Sequence, residues 1–169
     1  TALAKSLNAA TVRLADRVGM ENIIETVHRL GIKGNLYPHL STALGASEVT
    51  LMEIVSAYAT FATGKCIEPF SYEKILNRDG VVIDEIRPEA KDVLSRNAIE
   101  EMKLSLHAVV KEGTAQAAKE LGRPVYGKTG TTNNYTDAWF IGFDDRLAVG
   151  VWVGRDDHTP IGLGETGAK

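Results

Sequence analysis

Residues 128–154 read KTGTTNNYTDAWFIGFDDRLAVGVWVG, and the spacing of side chains along this stretch decides the fold class. After KTGTT, apolar residues alternate with small or aromatic ones in DAWFIGFD and again in RLAVGVWVG, a period of two that predicts two strands. The pair Asp144-Asp145 between them is typical of a turn. Alanine and glycine on one face predict that a helix lies close against this sheet.

The first two thirds of the chain show mainly helical spacing. Asn8 is expected to cap the helix AATVRLADRV, and Thr50 with Glu53 matches the capping box of a second helix. Residues 70–87 alternate instead around Asp79-Gly80, which predicts a β-hairpin. Helical spacing returns in NAIEEMKLSLHAVVKE. The fold class expected from these patterns is mixed α/β.

Composition excludes several classes of function. The chain has 169 residues with 19 Lys+Arg against 22 Asp+Glu, and no basic run indicates a nucleic-acid surface. The single cysteine, Cys66, allows no internal disulfide, and the four histidines are scattered, so neither a metal nor a cofactor is expected. No apolar stretch reaches the roughly 20 residues of a membrane span. The first residues lie in the middle of a pattern, as expected of a part of a longer protein.

Residues 122–129, GRPVYGKT, match the phosphate-binding pattern G-x-x-x-x-G-K-[ST]. A phosphate loop needs a strand before its first glycine and a helix that begins at the lysine. Here the helical pattern TAQAAKEL precedes the motif, and the glycine- and threonine-rich TGTTNN follows it. We therefore interpret Lys128 as part of a strand.

As a strand, KTGTT places Lys128 and Gly130 on one side and Thr129 and Thr131 on the other. Lysine supplies positive potential, the hydroxyls can bind a carboxylate, and glycine leaves room for a peptide backbone. K-T-G is also one of three motifs of the active-site serine enzymes that process D-Ala-D-Ala peptides or β-lactams, beside S-x-x-K and S-x-N.

The S-x-N motif is present as residues 6–8, Ser-Leu-Asn. A rival set combines Ser71-Tyr72-Glu73-Lys74 with Ser95-Arg96-Asn97. We reject the rival set because Ser71 precedes an alternating hairpin, which would point Lys74 to solvent, and because capping of the next helix explains Ser95.

The chain closely resembles the transpeptidase domain of class A, bifunctional penicillin-binding proteins. The resemblance rests on SLNAATVRLADRVG, STALGASEVTLMEIVSAYATFATG, VVKEGTAQAA, GKTGTTNNYTDAWFIGFDDRLAVGVWVGRDD and the closing TG. It implies the mixed α/β penicillin-binding transpeptidase or serine β-lactamase-like fold, with KTGTT, DAWFIGFD and RLAVGVWVG as adjacent antiparallel strands. It also implies peptidoglycan cross-linking through a serine acyl-enzyme, in the bacterial cell envelope at the extracytoplasmic face of the cytoplasmic membrane.

The same resemblance implies residue roles. Ser6 would relay a proton, the Asn8 amide would orient the donor peptide, and Lys128 would set the local potential. Thr129 and Thr131 would hold the terminal carboxylate, the Thr131 N–H would serve the oxyanion hole, and Gly130 would leave space for substrate. The implied partners are stem peptides ending in D-Ala-D-Ala, β-lactam antibiotics, and the rest of a parent polypeptide that carries S-x-x-K.

One departure from the family is large, because only five residues precede S-x-N. We expect residues 1–169 to be the C-terminal portion of one transpeptidase domain, inactive alone, with nucleophile, glycosyltransferase domain and membrane anchor outside it. A D,D-carboxypeptidase or β-lactamase of the same fold remains an alternative. A non-catalytic peptide-binding or nucleotide-binding module is another.

Overall fold

A computed structural model describes residues 1–162 and Gly167. The chain forms four α-helices and seven strands within the described part. The helices are α1 (Asn8–Val18), α2 (Met20–Arg29), α3 (Leu51–Thr63) and α4 (Arg96–Glu112). The strands are β1 (Lys65–Ile67), β2 (Lys74–Leu76), β3 (Val82–Glu85), β4 (Ala90–Asp92), β5 (Tyr126–Thr131), β6 (Asp137–Phe143) and β7 (Ala148–Gly154). Short 3₁₀ helices span Leu40–Leu44, Gln116–Leu121 and Asn133–Tyr135. Thr166, part of the closing TG pair, lies outside the described residues.

Local capping signals place two of the helices as predicted. The Thr50 hydroxyl accepts from the Glu53 N–H at 3.2 Å, and the Glu53 carboxylate accepts from the Thr50 N–H at 2.9 Å, so the capping box is present. The Ser95 hydroxyl accepts from the Ala98 N–H at 3.3 Å, which confirms that Ser95 caps α4.

The expected cap at Asn8 is wrong. Asn8 is the first residue of α1, Leu7 occupies the N-cap position, and no side chain caps this helix. The backbone explains the shift, because the Thr11 N–H already donates to the Leu7 carbonyl at 3.1 Å. The side chain of Asn8 is therefore left exposed on the first turn of α1.

The chain between α3 and α4 forms two small antiparallel sheets. The hairpin expected in residues 70–87 is confirmed as β2 paired with β3. The pairing of β1 with β4 was not predicted, and it places Cys66 on a strand opposite Lys91. Three-residue strands are too short to show an alternating pattern, so only the folded chain reveals them.

The largest sheet has the order β5-β6-β7, with both pairs antiparallel. A Cβ added at Gly150 of β7 would lie 2.3 Å from the Val55 side chain and 2.8 Å from that of Leu51. This close approach confirms that a helix, α3, packs against the small residues of the sheet. Val109 of α4 packs with Val125, the residue that precedes β5, in a buried cluster. The sheet thus holds α3 against β6 and β7, and α4 against β5.

In residues 1–162, no helix is both long and apolar enough to cross a membrane.

The Glu53 carboxylate generates a testable prediction about acid stability. Hydrogen bonds from the Thr50 N–H, the Lys33 N–H and the Thr50 hydroxyl lower the pKa of Glu53 from 4.5 to about 2. A lowered folded-state pKa contributes stability that is present above about pH 4.5 and is lost as pH falls toward about 2. Glu53→Gln is expected to cost up to about 1 kcal/mol at neutral pH, since its partners Thr50 and Lys33 are exposed and solvent weakens these interactions.

Thermal unfolding followed by circular dichroism between about pH 6 and about pH 2.5 checks this expectation. The difference between wild type and Glu53→Gln should shrink steadily as the pH falls. Glu48→Gln, which removes the same charge outside the capping box, is the control. A difference that is constant with pH would contradict the assignment of the low pKa.

Candidate active site

The candidate site lies where β5 meets the turn that precedes α1. The Lys128 ammonium donates hydrogen bonds to the Ser6 hydroxyl and, at 2.8 Å, to the Thr129 carbonyl. Lys128 and Ser6 are 122 positions apart in the chain. The fold therefore brings the S-x-N and K-T-G motifs into direct contact.

Ser6 has an unusual backbone conformation. Its φ of 51° lies in the left-handed region, where residues other than glycine are uncommon. Hydrogen bonds from the Ser6 N–H to Leu3 and from the Leu7 N–H to Ala2 hold the turn closed. A strained residue of this kind persists only where its surroundings impose it, and such residues cluster at functional sites. Nothing in the sequence signals this conformation.

The Lys128 amine is partly buried, and burial lowers its pKa from the ordinary value of 10.5 because desolvation penalises the charged form. Its acceptors are a hydroxyl and a carbonyl, which are neutral. Exposed lysines such as Lys33 and Lys74 instead form ion pairs with carboxylates. Lys128 is thus easier to deprotonate than a surface lysine, a property that suits proton relay.

The three residues after Lys128 lie on the same strand, β5. Thr129 pairs with Phe140 and Gly130 with Trp139, while Thr131, at the end of β5, is exposed. A Cβ at Gly130 would lie 3.2 Å from the Trp139 Cβ, so a larger residue would crowd β6. Within the described residues β5 pairs only with β6, which leaves its other edge able to hydrogen-bond an extended peptide.

Thr114 is a residue of the site that sequence reasoning missed. Its hydroxyl lies 2.6 Å from the Thr129 hydroxyl, and its N–H donates to the Ala4 carbonyl at 3.1 Å. In the sequence, Thr114 only follows the helix-ending Gly113, so no local pattern indicated a role. Asn8, by contrast, was predicted as a site residue, and it lies exposed two positions after Ser6.

The connection from β5 to β6 is held by Asp137. Its carboxylate accepts from Trp152 Nε1 at 2.7 Å and from the hydroxyls of Thr132 and Thr136 at 3.1 and 3.0 Å. The Trp152 hydrogen bond is the largest cause of the lowered pKa of Asp137. Tyr135, expected with Asp137 near a cleft edge, has a φ of 56° in this turn. These bonds fix where the K-T-G strand ends.

The alternative motifs do not form sites of this kind. Lys74 lies on the exposed β2–β3 hairpin and pairs with Glu85 at 2.9 Å, and Ser95 is a helix cap. Lys128 lies within a strand, so the geometry of a phosphate loop is absent from residues 122–131. Among the described residues, no group of three or more His, Cys, Asp or Glu side chains could hold a metal ion.

Comparison with known proteins supports one family. Residues 1–155 match the model of the penicillin binding protein transpeptidase domain. Penicillin-binding protein 1A of Aquifex aeolicus is 43% identical over 169 residues, which cover 99% of this chain and 23% of that protein. The chain therefore spans about a quarter of the length of the curated relatives it matches.

Solved structures show the same fold. The crystal structure of penicillin-binding protein 1A from Haemophilus influenzae superposes with a TM-score of 0.91 at 26% identity, covering 99% of this chain and 31% of that chain. Penicillin binding protein 3 from Mycobacterium tuberculosis, complexed with ampicillin, gives 0.77 at 22% identity, covering 99% and 47%. The mixed α/β fold expected from the sequence is confirmed as that of penicillin-binding transpeptidase domains.

The lowered pKa of Lys128 can be tested by nuclear magnetic resonance. In protein labelled at lysine side chains, the Lys128 amine is expected to titrate below 10.5 because of burial. Lys33 is the internal control, because its hydrogen bond to Glu68 raises its pKa. Since folding lowers the Lys128 pKa, its contribution to stability rises as pH increases through the window between the folded value and 10.5. Titration of Lys128 together with or above Lys33 would contradict the burial of its amine.

Proposed function

This chain belongs to the penicillin binding protein transpeptidase family, and on that premise we propose that it carries the substrate-binding half of a peptidoglycan D,D-transpeptidase. The observation that carries the proposal is the contact between the Lys128 ammonium and the Ser6 hydroxyl, beside an open strand edge. Such an enzyme would join stem peptides ending in D-Ala-D-Ala through a serine acyl-enzyme. β-Lactams would bind in the same cleft. The place of action would be the extracytoplasmic face of the bacterial cytoplasmic membrane.

Ser6 and Lys128 form the proposed proton relay. The hydroxyl of Ser6 can accept from the Lys128 amine and pass its own proton to a reacting group, and the lowered pKa of Lys128 favours this exchange. The partly buried positive charge also attracts an anionic substrate. Asn8 lies on the first turn of α1 beside Ser6, where its exposed amide would orient the donor peptide.

β5 supplies the proposed binding surface for the substrate. An extended peptide can pair with its open edge, and the hydroxyls of Thr129 and Thr131 would hold the terminal carboxylate. Gly130 has no side chain and would leave space between them for the substrate backbone. The Thr131 N–H would stabilise the oxyanion of the tetrahedral intermediate, because a donor aimed in advance costs no reorganisation when charge develops.

We propose that the acylated serine lies outside these 169 residues. Within them S-x-x-K occurs only at Ser71–Lys74, and there the lysine forms an ion pair with Glu85 on an exposed hairpin. The side chains of Leu147, Val149, Val151 and Val153 on or beside β7 are about half exposed and offer an apolar contact for the rest of the domain. In this proposal the chain is the C-terminal portion of one transpeptidase domain and is not acylated alone.

Labelling of the complete gene product with a fluorescent penicillin tests the proposal. We expect one acylated serine, located by mass spectrometry outside residues 1–169. Ser6→Ala and Lys128→Ala should each slow acylation about 100-fold or more, as expected for loss of acid–base catalysis. Lys74→Ala, the matched control from the rejected motif set, should leave the rate unchanged. Acylation at Ser71 would overturn the assignment.

Product analysis separates the related activities. Cross-linked dimers from stem-peptide substrate would support a transpeptidase, while trimmed monomers alone would indicate a carboxypeptidase. Thermal stabilisation by ATP with Mg²⁺, and not by a β-lactam, would contradict the family-based proposal.

A further inference from the structure

The loop that follows α4 contacts both parts of the candidate site, the segment that carries Ser6 and the strand β5 that carries Lys128. Thr114 donates its N–H to the Ala4 carbonyl, two residues before Ser6, and its hydroxyl meets that of Thr129, one residue after Lys128. A single residue therefore contacts both the segment that carries Ser6 and the strand that carries Lys128.

Glycine is required beside this contact. A Cβ added at Gly113 would lie 2.2 Å from the Ala4 carbonyl oxygen and 2.7 Å from that of Val109, distances that backbone atoms cannot tolerate. Ala4 and Ala115 are buried, with 3% and 2% of their surface exposed. The joint between the loop and the Ser6 segment is thus tightly packed, so the position of Thr114 is well determined.

The two hydroxyls share one hydrogen bond, and either oxygen can act as the donor. A threonine hydroxyl has one proton and can also accept. If Thr129 donated to Thr114, its proton would be unavailable to a carboxylate. If Thr114 donates to Thr129, the proton of Thr129 is free to point at a substrate carboxylate, and the chain of hydrogen bonds strengthens that donation.

We propose that Thr114 is a positioning residue that donates to Thr129 and thereby orients the Thr129 hydroxyl toward the carboxylate of the substrate. This inference rests on the proposed function, in which Thr129 binds that carboxylate. The alternative is a purely structural role, in which the Thr114–Thr129 hydrogen bond only holds the loop against β5. The two differ in whether Thr114 matters selectively for ligands that carry a carboxylate.

The test uses the complete gene product and two probes, benzylpenicillin and its methyl ester, which lacks the anionic carboxylate. The second-order rate constant of acylation is measured for each probe. Thr114→Val keeps the shape and removes the hydroxyl that orients Thr129. The hydrogen bond from Thr129 to the carboxylate should then weaken, and the constant for benzylpenicillin should fall about 10-fold, the order of magnitude of one hydrogen bond to a charged group. The constant for the ester should change less than about 2-fold, and Thr114→Ser should restore both.

Thr26→Val is the matched control. It removes a hydroxyl that donates to the Asn22 carbonyl at 2.8 Å on α2, away from the K-T-G strand, and should change neither constant. If Thr114→Val does not fold, Thr114→Cys, a weak donor of similar size, should show a smaller loss with the same selectivity.

The possible outcomes distinguish a failure of the proposed function from a failure of the proposed role of Thr114. A wild-type protein that benzylpenicillin does not acylate refutes the proposed function itself. Acylation of the wild type with equal losses for both probes, or with no loss, refutes the role of Thr114 and leaves the proposed function standing. A loss confined to benzylpenicillin that Thr114→Ser restores supports the positioning role.

Discussion

The rest of the site depends on the backbone contact between Ala4 and the Gly113–Thr114 loop. Without a side chain at residue 113, the carbonyl of Ala4 approaches the end of α4 closely and accepts the Thr114 N–H at 3.1 Å. Because α4 also packs against the residues that lead into β5, this contact fixes the distance between the Ser6 turn and the K-T-G strand. The strained φ of Ser6 is tolerable for the same reason, since the turn is held at both ends.

The sheet supplies the rigid side of this arrangement. β6 pairs with β7 along its whole length and with β5 over residues 138–143, and Gly150 lets α3 lie against β7. Asp137 closes the β5–β6 connection by accepting from Trp152 and two threonine hydroxyls. A strand held in this way would lose little freedom if a peptide paired with its open edge, so less ordering entropy would oppose binding.

The electrostatics of the site differ from those of the surface. Exposed lysines pair with carboxylates, as Lys33 does with Glu68 and Lys74 with Glu85, and such pairs contribute little to stability. Lys128 is partly buried among neutral acceptors, so its charge is neither neutralised by a partner nor well solvated. A group in that state responds strongly to an incoming anion, which is the behaviour expected of a catalytic or binding lysine rather than a structural one.

The sequence by itself correctly predicted the features that rest on neighbouring residues: the Thr50–Glu53 box, the Ser95 cap, the hairpin and the two alternating strands β6 and β7. These features depend on interactions within a few positions, which composition and period record directly. The cap at Asn8 failed because the carbonyl of Leu7 starts the helix one residue earlier than the side chain suggests. Three features are visible only in the folded chain: the direct Lys128–Ser6 contact, the left-handed Ser6 and the place of Thr114 beside Thr129. The two contacts join segments far apart in the chain. Packing that brings distant segments together leaves no periodic pattern in either one.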